Sequence, residues 1–200
     1  MTIYDLKPAF QNLLRPICRG LAGIGVTANH VTVAAIVLSG LLGGSIALFP
    51  TVRWPLWLLP VGLLVRMALN AIDGMLAREH QMQSPLGGIL NELGDVISDG
   101  MIYLSLAFVP GIPAVWVVVM TTLAVISEMA GVVAVQIGAG RRYDGPMGKS
   151  DRAFLIGLLA LLLGVGVSPG RWVDYLLIAM TLLLLVTIVN RCRRALAELR

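Results

Sequence analysis

The sequence predicts an all-α, polytopic membrane protein: six transmembrane helices preceded by an interfacial amphipathic helix, in one membrane domain. Composition is the first observation behind this reading. Of 200 residues, 58% are hydrophobic and 13% charged, whereas soluble domains carry roughly 25% charged residues. Segment length is the second. Several apolar runs approach the ~20 residues that a helix needs to cross the hydrocarbon layer, and no alternating segments of the kind that build barrels compete with them. The third is the placement of basic residues, described below once the spans are in place.

Residues 3–22 set Ile3, Leu6, Phe10, Leu13, Leu14 and Ile17 at helical spacing, with Lys7, Arg15 and Arg19 on the polar side. This pattern predicts a helix lying on anionic headgroups. No short apolar core with a small-residue cleavage site precedes it, so no signal peptide is expected. Thr27-Ala28-Asn29 offers capping side chains ahead of the first span, about 31–49. The second span, about 54–78, contains Pro60, and the third, about 86–108, follows the Ser84-Pro85 break. Spans four to six fall at about 112–138, 150–167 and 172–190. With the N-terminus cytoplasmic, Lys7, Arg15, Arg19, Arg78, Arg141, Arg142, Lys149, Arg152, Arg191, Arg193, Arg194 and Arg200 collect on the cytoplasmic side. Only Arg53 and Arg171 fall opposite. The positive-inside rule thus supports span count and orientation together, with both termini cytoplasmic. Cys18 and Cys192 lie in basic segments on the reducing side, where a disulfide is not expected.

Ionisable residues within a span cost about 2.5–3.5 kcal/mol each on insertion scales, so those present need partners, water or a cation. Spans two and three carry Asn70 and Asp73, three apart, and Asn91, Asp95 and Asp99, four apart. Each set shares a helix face. Carboxylate and amide oxygens suit hard divalent cations such as Mg²⁺, while the softer His and Cys ligands are missing there, which disfavours zinc and haem.

Asp73-Gly74, Ala77-Arg78, Gly87 and Asp95 fall at the spacing of the signature D-x2-D-G-x2-A-R-x8-G-x3-D-x3-D. The chain resembles the CDP-alcohol phosphotransferase (CDP-alcohol phosphatidyltransferase) family, and within it the branch of YnbA-type bacterial inner-membrane proteins. The six spans, the preceding interfacial helix, the Thr27-Ala28-Asn29 lead-in and the Gly148-Lys149 pair are similar to family features as well. The resemblance implies an enzyme of phospholipid biosynthesis at the cytoplasmic face of the inner membrane. It implies a site in which positions 70, 73, 91 and 95 hold Mg²⁺ or Mn²⁺ bridging the diphosphate of a CDP-linked donor. An acceptor hydroxyl attacks, Asp95 acts as general base, and CMP leaves. Gly74, Ala77 and Gly87 are implied to admit the cytidine part, Arg78 to meet phosphate, and Lys149, Ser150 and Arg152 to contact the acceptor. A homodimer is implied too. The expected donor is CDP-diacylglycerol, because a bundle with an interfacial helix gives acyl chains lateral access.

Asn70 and Asn91 depart from the signature, standing where it has its first and third Asp. Each replacement removes a negative charge, so weaker metal binding is expected: one tight site, or a second ion arriving with the nucleotide diphosphate. Asp99 lies about 6 Å beyond Asp95 along the helix axis. It reads better with Arg66 and Glu128, which lie at similar depth and are expected to form a polar knot, either a structural salt bridge or the floor of the pocket.

Arg141, Arg142, Lys149 and Arg152 gather around the four-five loop. They read as a pocket for lipid phosphate or a phosphate-bearing acceptor, or as topology and lipid attraction. Arg191, Arg193 and Arg194 read as topology anchors, His30 and His80 as interfacial side chains, and Glu92 as a solvated helix face. Nothing suggests nucleic acid. Besides the transferase, two other classes fit the residues. One is a degenerate relative that binds nucleotide, lipid or metal without efficient turnover. The other is a small cation-relay transporter, which the lack of paired broken helices argues against.

Overall fold

Helix boundaries follow from local capping chemistry along the chain. The computed structural model describes residues 3–199, with side chains from residue 9 onward, so Lys7 lies outside the described side chains. Helix α1 (Ile3–Gly23) ends where Gly25 takes a left-handed φ of 81°. There the Val26 and Gly25 amides return to the carbonyls of Leu21 and Ala22, which satisfies the helix end. Helix α2 (Ala28–Leu48) opens on Thr27. Its hydroxyl accepts from the His30 amide at 3.3 Å, and the His30 ring nitrogen accepts from the Thr27 amide at 3.3 Å, a reciprocal cap with His in the usual Glu place.

Helix α3 (Trp54–Glu79) contains Pro60 and closes on Gln81, whose φ is 55°. Helix α4 (Pro85–Ser105) starts with Pro at its first position and Ser84 as cap, the Ser84 hydroxyl accepting from the Gly87 amide at 3.0 Å. A 3-10 turn, Leu106–Phe108, extends it. Helices α5 (Ala114–Gln136), α6 (Lys149–Gly164) and α7 (Arg171–Glu198) complete the chain. Asp151 takes the Gly148 amide at 2.9 Å at the start of α6, and α7 runs two turns past residue 190.

The protein is an all-α membrane protein, with no strand among the described residues. By length and composition α2, α3, α5 and α7 can cross a bilayer. Helix α4 carries Glu92, Asp95 and Asp99, and α6 has 16 residues, about 24 Å against a hydrocarbon layer of about 30 Å.

The chain divides into two compact units, with boundaries inside α2, α3 and α4. The first comprises the residues up to Leu41 together with Val61–Ser98; the second comprises Leu42–Pro60 and the residues from Asp99 onward. In the first, Leu14 and Cys18 of α1 pack with Ala28 and Val31 of α2 and with Ile72, Met75 and Leu76 of α3. An ion pair from Arg15 to Glu79 at 3.0 Å ties α1 to the end of α3. Leu13 and Ile17, on the other side of α1, stay exposed, consistent with a helix that also has an apolar face to give to lipid. In the second unit, Gly43 of α2 sits directly on the Met101 backbone of α4, an approach that only a residue without a side chain permits.

Cys18 is 0% exposed, and burial pushes its thiol up, with Glu79 adding to the shift and Arg15 opposing it. A membrane-permeant maleimide at neutral pH is therefore expected to label the exposed Cys192 and spare Cys18 until the protein is unfolded. Mass spectrometry of the alkylated protein measures this directly; equal labelling of both thiols in the folded state would show that α1 is not seated on the core.

Candidate active site

Within the first unit, α3 supplies Arg66, Asn70 and Asp73, and α4 supplies Asn91 and Asp95. Asp73 is 6% exposed. The Thr32 hydroxyl of α2 lies 3.0 Å from its Oδ2 and equally 3.0 Å from the carbonyl of Ala28, so one proton is shared between the carboxylate and the helix backbone. Asp95 is half-buried. Its Oδ1 accepts from Asn70 Nδ2 at 3.2 Å and faces Arg66 Nη2 at 3.7 Å, and the same Nη2 donates to the Asp95 carbonyl at 3.2 Å. Arg66 is 3% exposed.

A carboxylate only accepts, so the Asn70 amide must turn its N–H₂ toward Asp95 and its oxygen away. Asn70 is in this geometry a hydrogen-bond donor through Nδ2 that fixes Asp95, and its amide oxygen is left for the ligand role the sequence suggests. Asn91 stays exposed one turn before Asp95 on α4. Among the described residues no group of three His, Cys, Asp or Glu is arranged to hold a metal. The donor set of Asp73, Asp95 and the amide oxygen of Asn91 is hard and oxygen-only, and it fits a divalent cation of the Mg²⁺ or Mn²⁺ type with few protein ligands.

The glycines of the motif keep space for particular side chains. A Cβ on Gly74 would lie 3.1 Å from Arg78 Nη2, because the Arg78 guanidinium folds back over that glycine. A Cβ on Gly87 would lie 2.8 Å from Asn29 Oδ1 and 3.1 Å from the Ser84 hydroxyl. Gly74→Ala is expected to displace the Arg78 guanidinium while raising intrinsic helix stability by about 0.5–1 kcal/mol. If Arg78 positions substrate phosphate, activity falls by up to about 10²-fold without loss of thermal stability. Paired melting and turnover measurements separate the two effects, and a fall in both would point to a packing fault. Ala77 is half-buried beside Arg78.

The second unit holds a different polar cluster. Arg152, 1% exposed, donates through Nη2 to Asp99 at 3.1 Å and to Glu128 at 3.0 Å, and through Nη1 to the Met147 carbonyl at 3.3 Å. Glu128 also receives Arg141 at 3.1 Å and Arg191 at 3.3 Å. Arg191, likewise 1% exposed, reaches the carbonyls of Ser127 and Asp144. Arg142 pairs with Glu198, and Arg194 with Asp144 at 2.7 Å.

Two expectations change here. Asp99 and Glu128 do form a knot, and Arg152, read from the sequence as a loop charge, is a cation of it; Arg66 contacts Asp95. Arg152 is thus a buried internal tie. Arg191 is a buried strut rather than a topology anchor, because α7 continues and the 137–148 loop folds back onto it. Lys149 and Ser150 lie at the surface end of α6, half-buried and exposed respectively. Thr32 escaped sequence reasoning altogether, since a hydroxyl in an apolar span ordinarily bonds its own helix and nothing in the residue string marks it out.

The sequence model of the CDP-alcohol phosphatidyltransferase family matches residues 25–190. The chain belongs to that family. The match takes in α2 to α6 and most of α7, leaving α1 outside it. Among relatives of this phosphatidyltransferase-family chain, the inner membrane protein YnbA of Escherichia coli (strain K12) is 46% identical, over 98% of this chain and 97% of its own length. The phosphatidylinositol phosphate synthase of Mycobacterium marinum (strain ATCC BAA-535 / M) is 28% identical over 92% and 78%. Crystal structures of the Mycobacterium tuberculosis phosphatidylinositol phosphate synthase share the fold. The complex with manganese and citrate gives a TM-score of 0.76 at 19% identity, covering 90% of this chain and 87% of that one. The form with CDP-DAG bound gives 0.71 at 20% identity, covering 92% and 91%.

Proposed function

We propose that this protein transfers a phosphatidyl group from CDP-diacylglycerol to the hydroxyl of an acceptor alcohol, releasing CMP, with Mg²⁺ or Mn²⁺ bound at Asp73, Asp95 and Asn91. The observation that carries the reading is the state of Asp95: a carboxylate at the last signature position, oriented by Asn70 and Arg66, on a helix that also presents Asn91 and opposite a helix that presents Asp73. The mycobacterial phosphatidylinositol phosphate synthase structures, one with manganese and one with CDP-DAG bound, support the same chemistry by family relation.

Asp95 takes the proton of the acceptor hydroxyl as that oxygen bonds to phosphorus, and the bond from phosphorus to the CMP oxygen breaks. Asn70 and Arg66 keep the carboxylate aimed, so little reorganisation accompanies the transfer. Arg78 neutralises phosphate charge, and Gly74 and Gly87 let the nucleotide approach the backbone of α3 and α4. A divalent ion held by Asp73, Asp95 and Asn91 would offset charge on the diphosphate oxygens and polarise the bond to the leaving group. Lys149 and Ser150 remain the acceptor contacts in this reading. We place the chemistry at the cytoplasmic face of an inner membrane crossed by all six of α2–α7, with both termini on that side.

The test is CMP release from CDP-diacylglycerol in proteoliposomes with Mn²⁺, screened against polyols, sugar phosphates and amino alcohols. Release that requires an acceptor supports transfer. CDP-diacylglycerol that binds but yields no CMP with any acceptor would favour the second reading, which Asn70 and Asn91 motivate: a family member that binds nucleotide or lipid without turnover.

A further inference from the structure

We infer that the end of the second unit where α3 and α7 begin holds a site for the phosphate of a membrane phospholipid, with Arg53 as its cation. The site involves neither the signature residues nor the transfer chemistry, and it requires only that this end meets the headgroup layer.

A cavity of about 220 Å³ lies between the turn that joins α2 to α3 and the segments that lead into α5 and α7. Pockets for drug-sized ligands run to about 300–1,000 Å³, so this one suits a headgroup phosphate and its glycerol better than a nucleotide. Pro50, Arg53, Pro110, Ser168 and Pro169 contribute to its walls. Those walls are fixed. A Cβ on Gly111, whose φ is 84°, would lie 2.5 Å from the Pro169 ring, and the Trp172 indole donates to the Ser168 carbonyl at 3.1 Å. Arg53 is the one charged residue among the described residues that line the cavity, and none of them is acidic.

The Arg53 guanidinium lies across Gly166, where a Cβ would meet its Nη1 at 2.9 Å. Helix α6 ends there, and capping its carbonyls would be the ordinary use of an arginine so placed. That end is already satisfied. Gly166 takes a φ of 104°, and the amides of Gly166 and Val167 return to the carbonyls of Leu163 and Leu162 at 3.1 and 2.9 Å. Arg53 is exposed, and its guanidinium makes no hydrogen bond or ion pair among the described residues. A fork of N–H donors beside a rigid cavity is thus left for an external anion, and phosphate matches its geometry.

The aromatic residues say where that anion comes from. All four tryptophans of the chain, Trp54, Trp57, Trp116 and Trp172, fall within the first four residues of α3, α5 or α7. Trp54 and Trp57 are exposed. Tryptophan gathers at the level of lipid headgroups, so Arg53, next to Trp54 and at the positive end of α3, meets lipid phosphate at that depth.

Native mass spectrometry of the delipidated protein in detergent tests this by counting the lipids each chain retains. The probes are phosphatidylglycerol, the diacylglycerol with the same acyl chains, and inorganic phosphate as competitor. The wild type is expected to retain phosphatidylglycerol and to keep it in millimolar phosphate. Diacylglycerol should be held at least about tenfold less well, the smallest cost of losing a hydrogen bond to a charged group. Arg53→Gln is expected to hold one phosphatidylglycerol fewer, and Arg53→Lys as many as the wild type. Arg171→Gln removes a charge from the start of α7, outside the cavity lining, and should also match the wild type. Full retention in Arg53→Gln, an equal loss in Arg171→Gln, or equal retention of diacylglycerol would each overturn the inference. Displacement by inorganic phosphate would reveal a free-anion site and overturn the lipid assignment. Should Arg53→Gln not fold, Ser168→Phe takes its place: it fills the cavity, leaves Arg53 intact and is expected to lose the same lipid, and full retention there would overturn the inference.

Discussion

Replacement of Asp95 by Asn is expected to lower turnover by about 10²- to 10⁴-fold, the usual range for loss of a general base. The change is nearly isosteric, and the new amide oxygen can still accept from Asn70, so the fold of α3 against α4 in this region is retained. What disappears is the proton acceptor and one negative charge. The variant should therefore need more Mn²⁺ to bind CDP-diacylglycerol and release almost no CMP. Single-turnover measurements at saturating Mn²⁺ separate the lost base from the lost metal affinity. A variant that keeps turnover within a few-fold at saturating metal would show that Asp95 is not the base.

The largest stability effect is expected at Glu128, far along the sequence from the signature. Three guanidinium groups, those of Arg141, Arg152 and Arg191, converge on this one carboxylate. Two of them are almost fully buried. Removing one partner of a buried ion pair typically costs about 3–5 kcal/mol, because the remaining charge keeps its desolvation penalty without compensation. Asp99 also compensates Arg152. Glu128→Ala is therefore expected to fall at the upper end of that range and to lower the melting temperature in detergent sharply. Glu128→Gln keeps acceptor oxygen without charge and should fall between. A melting temperature for Glu128→Ala close to that of the wild type would mean that water reaches these arginines in the folded protein. Because the cluster ties α5, α6, α7 and the 137–148 loop, its loss should also make that loop a protease target.

The helices and the signature were legible because each is written in local sequence. Long apolar runs, Thr27, Ser84-Pro85 and Gly148 mark where helices begin, and the spacing of Asp73, Gly74, Arg78, Gly87 and Asp95 is a one-dimensional pattern that survives folding. Partnerships between distant residues were not legible in the same way. Arg152 and Arg191 lie near helix ends and look like surface charges, yet both are buried against Glu128. An arginine side chain is long enough to carry its charge well away from its own backbone position. The direction in which it extends depends on the loop that folds over it, which no local pattern encodes. The role of Asn70 was hidden for a related reason. An amide can offer oxygen to a cation and N–H to a carboxylate, and only its placement beside Asp95 Oδ1 reveals the second use.

Metal-dependent binding of a CDP-linked donor by the first-unit residues underlies the proposed transfer. Calorimetry of the purified protein with CDP and with CDP-diacylglycerol, in the presence and absence of Mg²⁺ or Mn²⁺, measures it directly. Binding is expected to require the metal and to disappear in Asp73→Ala and Asp95→Ala. Absence of binding for both ligands under every metal condition, or binding that ignores both substitutions, would contradict it.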